Sequence, residues 1–182
     1  MDLAAMLAAS VDDDGILGYA RPPIAEESRA FVIDLEQMLD QGSGHVLIGT
    51  DSLGVVAMCV LSANAMPNCK HIAEVSKAYL VPRVRGTPAV FELANAVCEQ
   101  AEQLGTDILT IDVRENSKAH RVWQRIGFTT YGILPDYSRV NGESFRGHYM
   151  WHSVADLHVF VESKLRTRGN GRCEPRPPDD VT

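Results

Sequence analysis

A segment near the middle of the chain, Arg83-Val84-Arg85-Gly86-Thr87-Pro88, carries residue types suited to holding a phosphate. Thr87 followed by Pro88 reads as an N-cap residue with proline at the first helical position. A helix start offers unpaired backbone N–H groups at the positive end of its dipole, which suits a pyrophosphate. Lys77, Arg83 and Arg85 add positive charge around this turn. Pro88 itself brings no N–H, and Val90 puts a branched side chain close behind it. An ordinary capped helix with surface arginines is therefore the competing reading. Other reactive side chains suggest less. His148 and His152 would share a face of a strand but lie about 13 Å apart, too far for one metal. Asp12, Asp13 and Asp14 lack the spaced ligands of a calcium loop. No Ser/His/Asp set has a nucleophile turn. Cys59, Cys69, Cys98 and Cys173 form no CxxC pair, and Cys59 and Cys98 fall inside apolar segments where a buried thiol is expected. No metal site is expected.

The elements that must position the turn alternate regularly. MDLAAMLAAS predicts a short helix, and a second helix is expected over 24–41, with Phe31, Leu35, Met38 and Leu39 on one face. Residues 45–64 read as a hairpin turning near Asp51-Ser52, and 71–81 as the next strand. The helix after the turn has Val90, Leu93, Ala94, Val97, Ala101 and Leu104 in one stripe and closes at Gly105. DILTIDV predicts a buried strand, 117–125 a short helix, and 129–140 with 144–153 a hairpin turned by Asn141-Gly142. This predicts a single domain in the α/β to α+β range, with a mixed, mostly antiparallel sheet flanked by helices. The domain is expected over 1–165, and the Arg/Gly/Pro-rich residues 166–182 as a flexible tail.

At 182 residues and 45% hydrophobic, the chain can build one full core. Its net charge of −7 disfavours nucleic acid as a partner and weakly favours an amine substrate. No apolar run is long enough for a membrane, and no basic-then-apolar leader opens the sequence, so a cytoplasmic location is expected.

Residues 73–128 follow the order strand, Arg-Gly turn, amphipathic helix, strand, then Asn116-Ser117-Lys118-Ala119 with Trp123 and Gly127-Phe128. This order resembles the central half of the GNAT (Gcn5-related N-acetyltransferase) family. AEVSKAYLVP, YGILPDYSRVNGE and HYMW look most like its tabtoxin-resistance acetyltransferase branch, and the likeness extends to about residue 153. The family's usual first edge strand is missing. Pro88 and Val90 stand where the family has small residues, and Trp123 where it often has a catalytic tyrosine.

The resemblance implies acetyl-CoA as co-substrate and direct transfer of an acetyl group to a primary amine, expected to be that of a small molecule. Glu74 matches the position of a general base, and Tyr137, with Tyr131 and Asp136, is expected near the acceptor as a source of the acid that Trp123 cannot supply. Tyr79, Leu80 and Val81 would pair with the pantetheine arm. Arg85, Gly86, Thr87, Ala89 and Val90 would meet the phosphates, while Asn116, Ala119 and Trp123 would flank the cofactor. Two alternatives follow from the departures: a protein of this fold with weakened or lost CoA binding that serves as a partner-binding or ligand-sensing module, and an enzyme that modifies proteins. A homodimer is left open.

Overall fold

Residues 56–61 are buried at every position because both faces of the sheet are covered there. The computed structural model describes residues 3–11, 17–19, 21–140 and 142–169. Within them the order is α1 (Leu3–Val11), α2 (Ala25–Asp40), β1 (Gly44–Asp51), β2 (Gly54–Ala63), β3 (Ile72–Leu80), α3 (Ala89–Gln103), β4 (Ile108–Arg114), α4 (Lys118–Arg125), β5 (Thr129–Val140), β6 (Glu143–Ser153) and α5 (Val154–Gly169). The strands form one six-stranded sheet in the order β1-β2-β3-β4-β6-β5. Only β3 and β4 run parallel, and α3 makes the crossover between them. Among the described residues no strand precedes α1. The mixed sheet flanked by helices is the fold class expected above.

Each face has its own core. On one, Cys59, Leu61, Val75, Leu109, Ile111 and Met150 pack against Val97, Ala101, Leu157 and Val161 of α3 and α5. On the other, Val56, Met58, Val60 and Tyr79 pack against Met6, Leu7, Phe31 and Leu35 of α1 and α2. The second pair of helices reaches only β1 to β3. Among the described residues no helix covers that side of β5 and β6, and Trp151 is 41% exposed where its neighbour Met150 is fully buried.

α5 is absent from the expectations above. Its buried stripe is Val154, Leu157 and Val161, and Phe91 of α3 meets its Phe160 edge-on at 6.3 Å. The helix runs to Gly169, with Arg166 paired to Glu162 at 2.7 Å. The first four residues assigned to a tail are thus helical, and 170–182 lie outside the described residues. So do Asp12, Asp13 and Asp14. Cys59 and Cys98 are fully buried, and burial pushes both thiols up to about 12, as befits inert core cysteines. No described helix is long and apolar enough to cross a membrane.

Candidate active site

The site begins where β3 and β4 stop pairing. Their ladder covers only Ile72 to Glu74 against Ile108 to Thr110. Beyond Glu74 the strands part, while β3 keeps its bonds to β2 as far as Leu80. The parting coincides with a bulge, since Lys77 has φ 52 and one extra β3 residue lies opposite Cys59. An extra residue reverses the alternation of faces. Ala73 and Val75 accordingly join the α3–α5 core, whereas Tyr79 and Val81 join the α1–α2 core. Ala78 and Leu80 are thereby turned toward a groove beside α3.

That groove has a volume of about 320 Å³, lies against α3 and α4, and is lined by Ala78, Leu80, Val90, Phe91 and Trp123 among others. Its lining holds Arg85, Lys118 and Arg125 and no carboxylate. In a chain of net charge −7, that selects for an anion at the mouth and apolar matter inside. Of the basic cluster expected at the turn, only Arg85 lines this groove. Arg83 pairs with Asp51, holding that carboxyl down to about 2, and Lys77 donates to the Leu17 carbonyl at 3.1 Å. Lys118 and Arg125 were not anticipated. Their spacing with Val122 along α4 (i, i+4, i+7) puts all three on one side of the helix, which was the available signal.

The helix start is well capped. Gly86 takes φ 75, a conformation glycine adopts without cost. Thr87 Oγ1 accepts the Ala89 N–H at 3.2 Å, and the Pro88 carbonyl accepts from Phe91 and Glu92 at 2.8 and 3.0 Å. Pro88 already has helical angles, so Thr87 caps as its side chain predicts although the regular helix is counted from Ala89. Arg85 reaches back with Nε and Nη2 to the Leu80 carbonyl at 2.9 and 2.7 Å, and its guanidinium lies 5.3 Å from the Tyr79 ring centre. The Leu80 carbonyl therefore already has a partner. Tyr79 and Leu80 line the groove, although the Tyr79 side chain, 1% exposed, also belongs to the core, and Val81, 3% exposed, is not among the groove residues. Gly86, Thr87, Val90 and Ala119 are, whereas Ala89 is not.

Across the sheet from this groove lies a cavity of about 370 Å³ lined by Tyr19, Ser76, Lys77, Asp112, Arg114 and Tyr137 among others. The two spaces share Val75, Ala78, Ala119 and Trp123 as a common wall. Tyr137 lines the cavity because β5 bulges: Leu134 pairs with Gly147 and Ser138 with Phe145, so residues 135–137 oppose Arg146 alone. The bulge carries the Tyr137 hydroxyl to Asp112, to which it donates. Burial, then that bond to the carboxylate, push the phenol above its usual range. Asp112 was missed by sequence reasoning. An aspartate between buried Ile111 and Val113 on a strand is out of place by propensity, and that was its signal.

Glu74 is not among the residues that line the cavity, although Val75 and Ser76 beside it are. Loss of water, then the Asp112 charge, raise its pKa, while Lys77 opposes them. Asp136 is not among the cavity's lining residues but pairs with Arg139, which is, and with Ser144, and Tyr131 is 60% exposed.

α4 is fixed at its start by several bonds. Ser117 Oγ accepts the His120 N–H at 3.0 Å, and Asn116, at φ 61, donates its own N–H to His120 Nδ1 at 3.2 Å. Asn116 lines neither space above but a shallow third one with Arg114, Glu115 and Arg146. Beneath it the His120 ring stacks on His148 at 4.2 Å, and burial, then the neighbouring His148, push His120 down. His148 lies between Thr130 Oγ1 and Glu115 Oε1, each at 3.0 Å, and His152 Nδ1 meets the Ser153 carbonyl at 2.8 Å. Among the described residues no His/Cys/Asp/Glu group could hold a metal.

No family model matches the chain, and no curated protein matches it by sequence. Solved structures do match it in shape. The spermidine N-acetyltransferase of Vibrio cholerae, solved with CoA and spermine, superimposes with a TM-score of 0.69 at 14% identity, covering 85% of this chain and 89% of that one. The ribosomal-protein-alanine N-acetyltransferase of Brucella melitensis gives 0.65 at 19% identity, over 84% and 96%. The acetyltransferase yncA of Salmonella typhimurium, solved with acetyl-CoA, gives 0.64 at 16%, over 85% and 91%. At such identities the likeness is one of fold: this chain has the fold of the GNAT acetyltransferases. No likeness here singles out the tabtoxin-resistance branch.

Proposed function

We propose that this protein transfers an acetyl group from acetyl-CoA to the amine of a small molecule by direct attack. The observation that carries the reading is the pair of spaces meeting at the parted strands, one apolar with a cationic mouth, the other polar. A thioester bound in the groove supplies an activated acetyl group. Arg85, Lys118 and Arg125 suit its phosphates, and the apolar walls suit its pantetheine arm. Two of the similar structures were solved with CoA or acetyl-CoA, and one of those with spermine, an amine.

In this reading the polar cavity holds the amine. Glu74, its pKa raised, takes the proton that the amine must lose, directly or through water. Trp123 has no proton to give at useful pH. The Tyr137 hydroxyl is committed to Asp112, so it orients that carboxylate and the leaving thiolate takes its proton from water. Most of the catalysis then comes from holding a neutral amine against the thioester in a confined space.

A second reading keeps the fold without the cofactor, as a partner-binding or ligand-sensing module. What favours it is the helix start: Pro88 has no N–H and the Ala89 N–H is already bonded to Thr87. Calorimetric titration of acetyl-CoA into the wild type, Pro88→Gly and Val90→Gly separates the two. Micromolar binding by the wild type is expected. Absent or millimolar binding that glycine restores would sink the enzyme reading.

A further inference from the structure

We propose that Trp123 sets the length of the acyl group this protein accepts, because it is the one bulky wall of the passage between the groove and the polar cavity. The inference rests on the acyltransferase reading. Of the four residues that line both spaces, Val75, Ala78 and Ala119 are small and Trp123 is large. Ala119 and Trp123 stand one turn apart on the same side of α4, so the indole fills the width that the alanine leaves.

The ring is held in place. It meets Phe128 edge-on at 4.9 Å, and Phe128, 4% exposed, donates its N–H to the Trp123 carbonyl at 3.0 Å. The start of the helix is tied by the Ser117 cap and the His120–His148 stack. A side chain packed this way does not swing aside without disturbing its neighbours.

The direction of the ligand follows from charge. The groove alone has Arg85, Lys118 and Arg125 and no carboxylate; the cavity alone has Asp112 and Tyr137, and its cations are engaged elsewhere, Lys77 on the Leu17 carbonyl, Arg114 over the Phe145 ring and Arg139 on Asp136. Phosphates held by the groove's cations leave the thioester pointing toward the shared wall, where an amine on the Asp112 side can reach its carbonyl. The acyl chain therefore lies in the passage, against Trp123. Each further methylene must displace the indole or enter the space the amine needs. A methylene too many in such a site costs about tenfold or more in affinity.

The test uses the whole chain and needs no acceptor. CoA, acetyl-CoA, butyryl-CoA and hexanoyl-CoA are titrated calorimetrically into the wild type, Trp123→Leu and Trp123→Ala. The wild type should bind CoA and acetyl-CoA alike and butyryl-CoA at least about tenfold more weakly. Read within each variant as the ratio of acetyl-CoA to butyryl-CoA affinity, so that any general loss of CoA binding cancels, the gap should narrow in Trp123→Leu and close to within about threefold in Trp123→Ala. Trp123→Leu carries the test if the alanine variant does not fold. Equal binding of acetyl-CoA and butyryl-CoA by the wild type would overturn the proposal. So would a gap that both variants keep, since the limit on chain length would then lie in another wall. Failure of the wild type to bind CoA at all would overturn the acyltransferase reading beneath it.

Discussion

The Tyr137 ring lies directly against Gly147, so closely that a Cβ on residue 147 would overlap Cβ, Cγ and Cδ2 of the tyrosine. The glycine on β6 is what lets the β5 bulge fold Tyr137 across the hairpin toward Asp112. Tyr149, which pairs with Asp112 on the neighbouring strand, closes the other side with its ring 6.5 Å from that of Tyr137. A residue of β5, given room by a glycine of β6, thereby holds a carboxylate of β4 in the polar cavity.

Gly147→Ala should displace Tyr137 and break its bond to Asp112. Overpacking of this kind costs about 1–3 kcal/mol, readable as a lower denaturant midpoint. Turnover should fall while acetyl-CoA affinity holds, because neither Tyr137 nor Gly147 lines the groove. Tyr137→Phe is the companion variant, since it keeps the ring and removes only the hydroxyl. Turnover at the wild-type level in both would take Tyr137 out of the acceptor site.

Glu74→Gln should lower turnover with little effect on cofactor affinity. The wild-type rate should also fall on the acid side as Glu74 protonates, at a pH above the ordinary 4.5 of a glutamate, and the variant should lack that limb. Stability carries the opposite sign. A carboxyl with a raised pKa favours the fold when protonated, so its contribution is full below about pH 4.5 and is lost as pH rises through the raised value. Glutamine escapes that loss, and the variant should be no less stable than the wild type at pH 7. A pH–rate profile unchanged in Glu74→Gln would remove the residue from the mechanism.

Much of the architecture was legible because hydrophobic periodicity is a local signal. The apolar stripe of α3 and the strand at Ile108–Arg114 are each written in 15 residues or fewer. The site was less legible because it is made by breaks in those patterns. Nothing in Glu74 to Tyr79 announces that Lys77 will take φ 52 and exchange the faces of β3, so the packing of the Tyr79 side chain against α1 and α2 could not be read from the alternation. Lys118 and Arg125 gain meaning only when α4 is laid beside α3. α5 was overlooked although Val154, Leu157 and Val161 have helical spacing, because the Arg- and Gly-rich residues after it pull the reading toward a tail.

The bulge at Lys77 supplies a separate test. A non-glycine residue in the left-handed region costs about 1 kcal/mol, so glycine there relieves strain that alanine keeps. Both substitutions lose the bond from Nζ to the Leu17 carbonyl. Lys77→Gly should therefore be more stable than Lys77→Ala by several tenths to about 1 kcal/mol in urea unfolding. The reverse order would mean that residue 77 does not hold a positive φ in solution.

Thr87 sits at a point of competition. Its hydroxyl takes the Ala89 N–H, one of the few donors left at a helix start that Pro88 has already depleted. Removing the hydroxyl should cost the free protein about 1 kcal/mol, the usual worth of an N-cap. It should also return that N–H to any phosphate bound at the turn, and a hydrogen bond regained there is worth about 0.5–1.5 kcal/mol. Thr87→Ala should thus melt at lower temperature without ligand, yet gain more than the wild type when acetyl-CoA is added, by a shift matching about a two- to tenfold tighter complex. Thermal melts of both proteins across a series of acetyl-CoA concentrations read the two effects separately. A smaller ligand-induced shift in the variant would mean that the threonine hydroxyl itself serves the phosphates, and that the turn recognises anions by side chain.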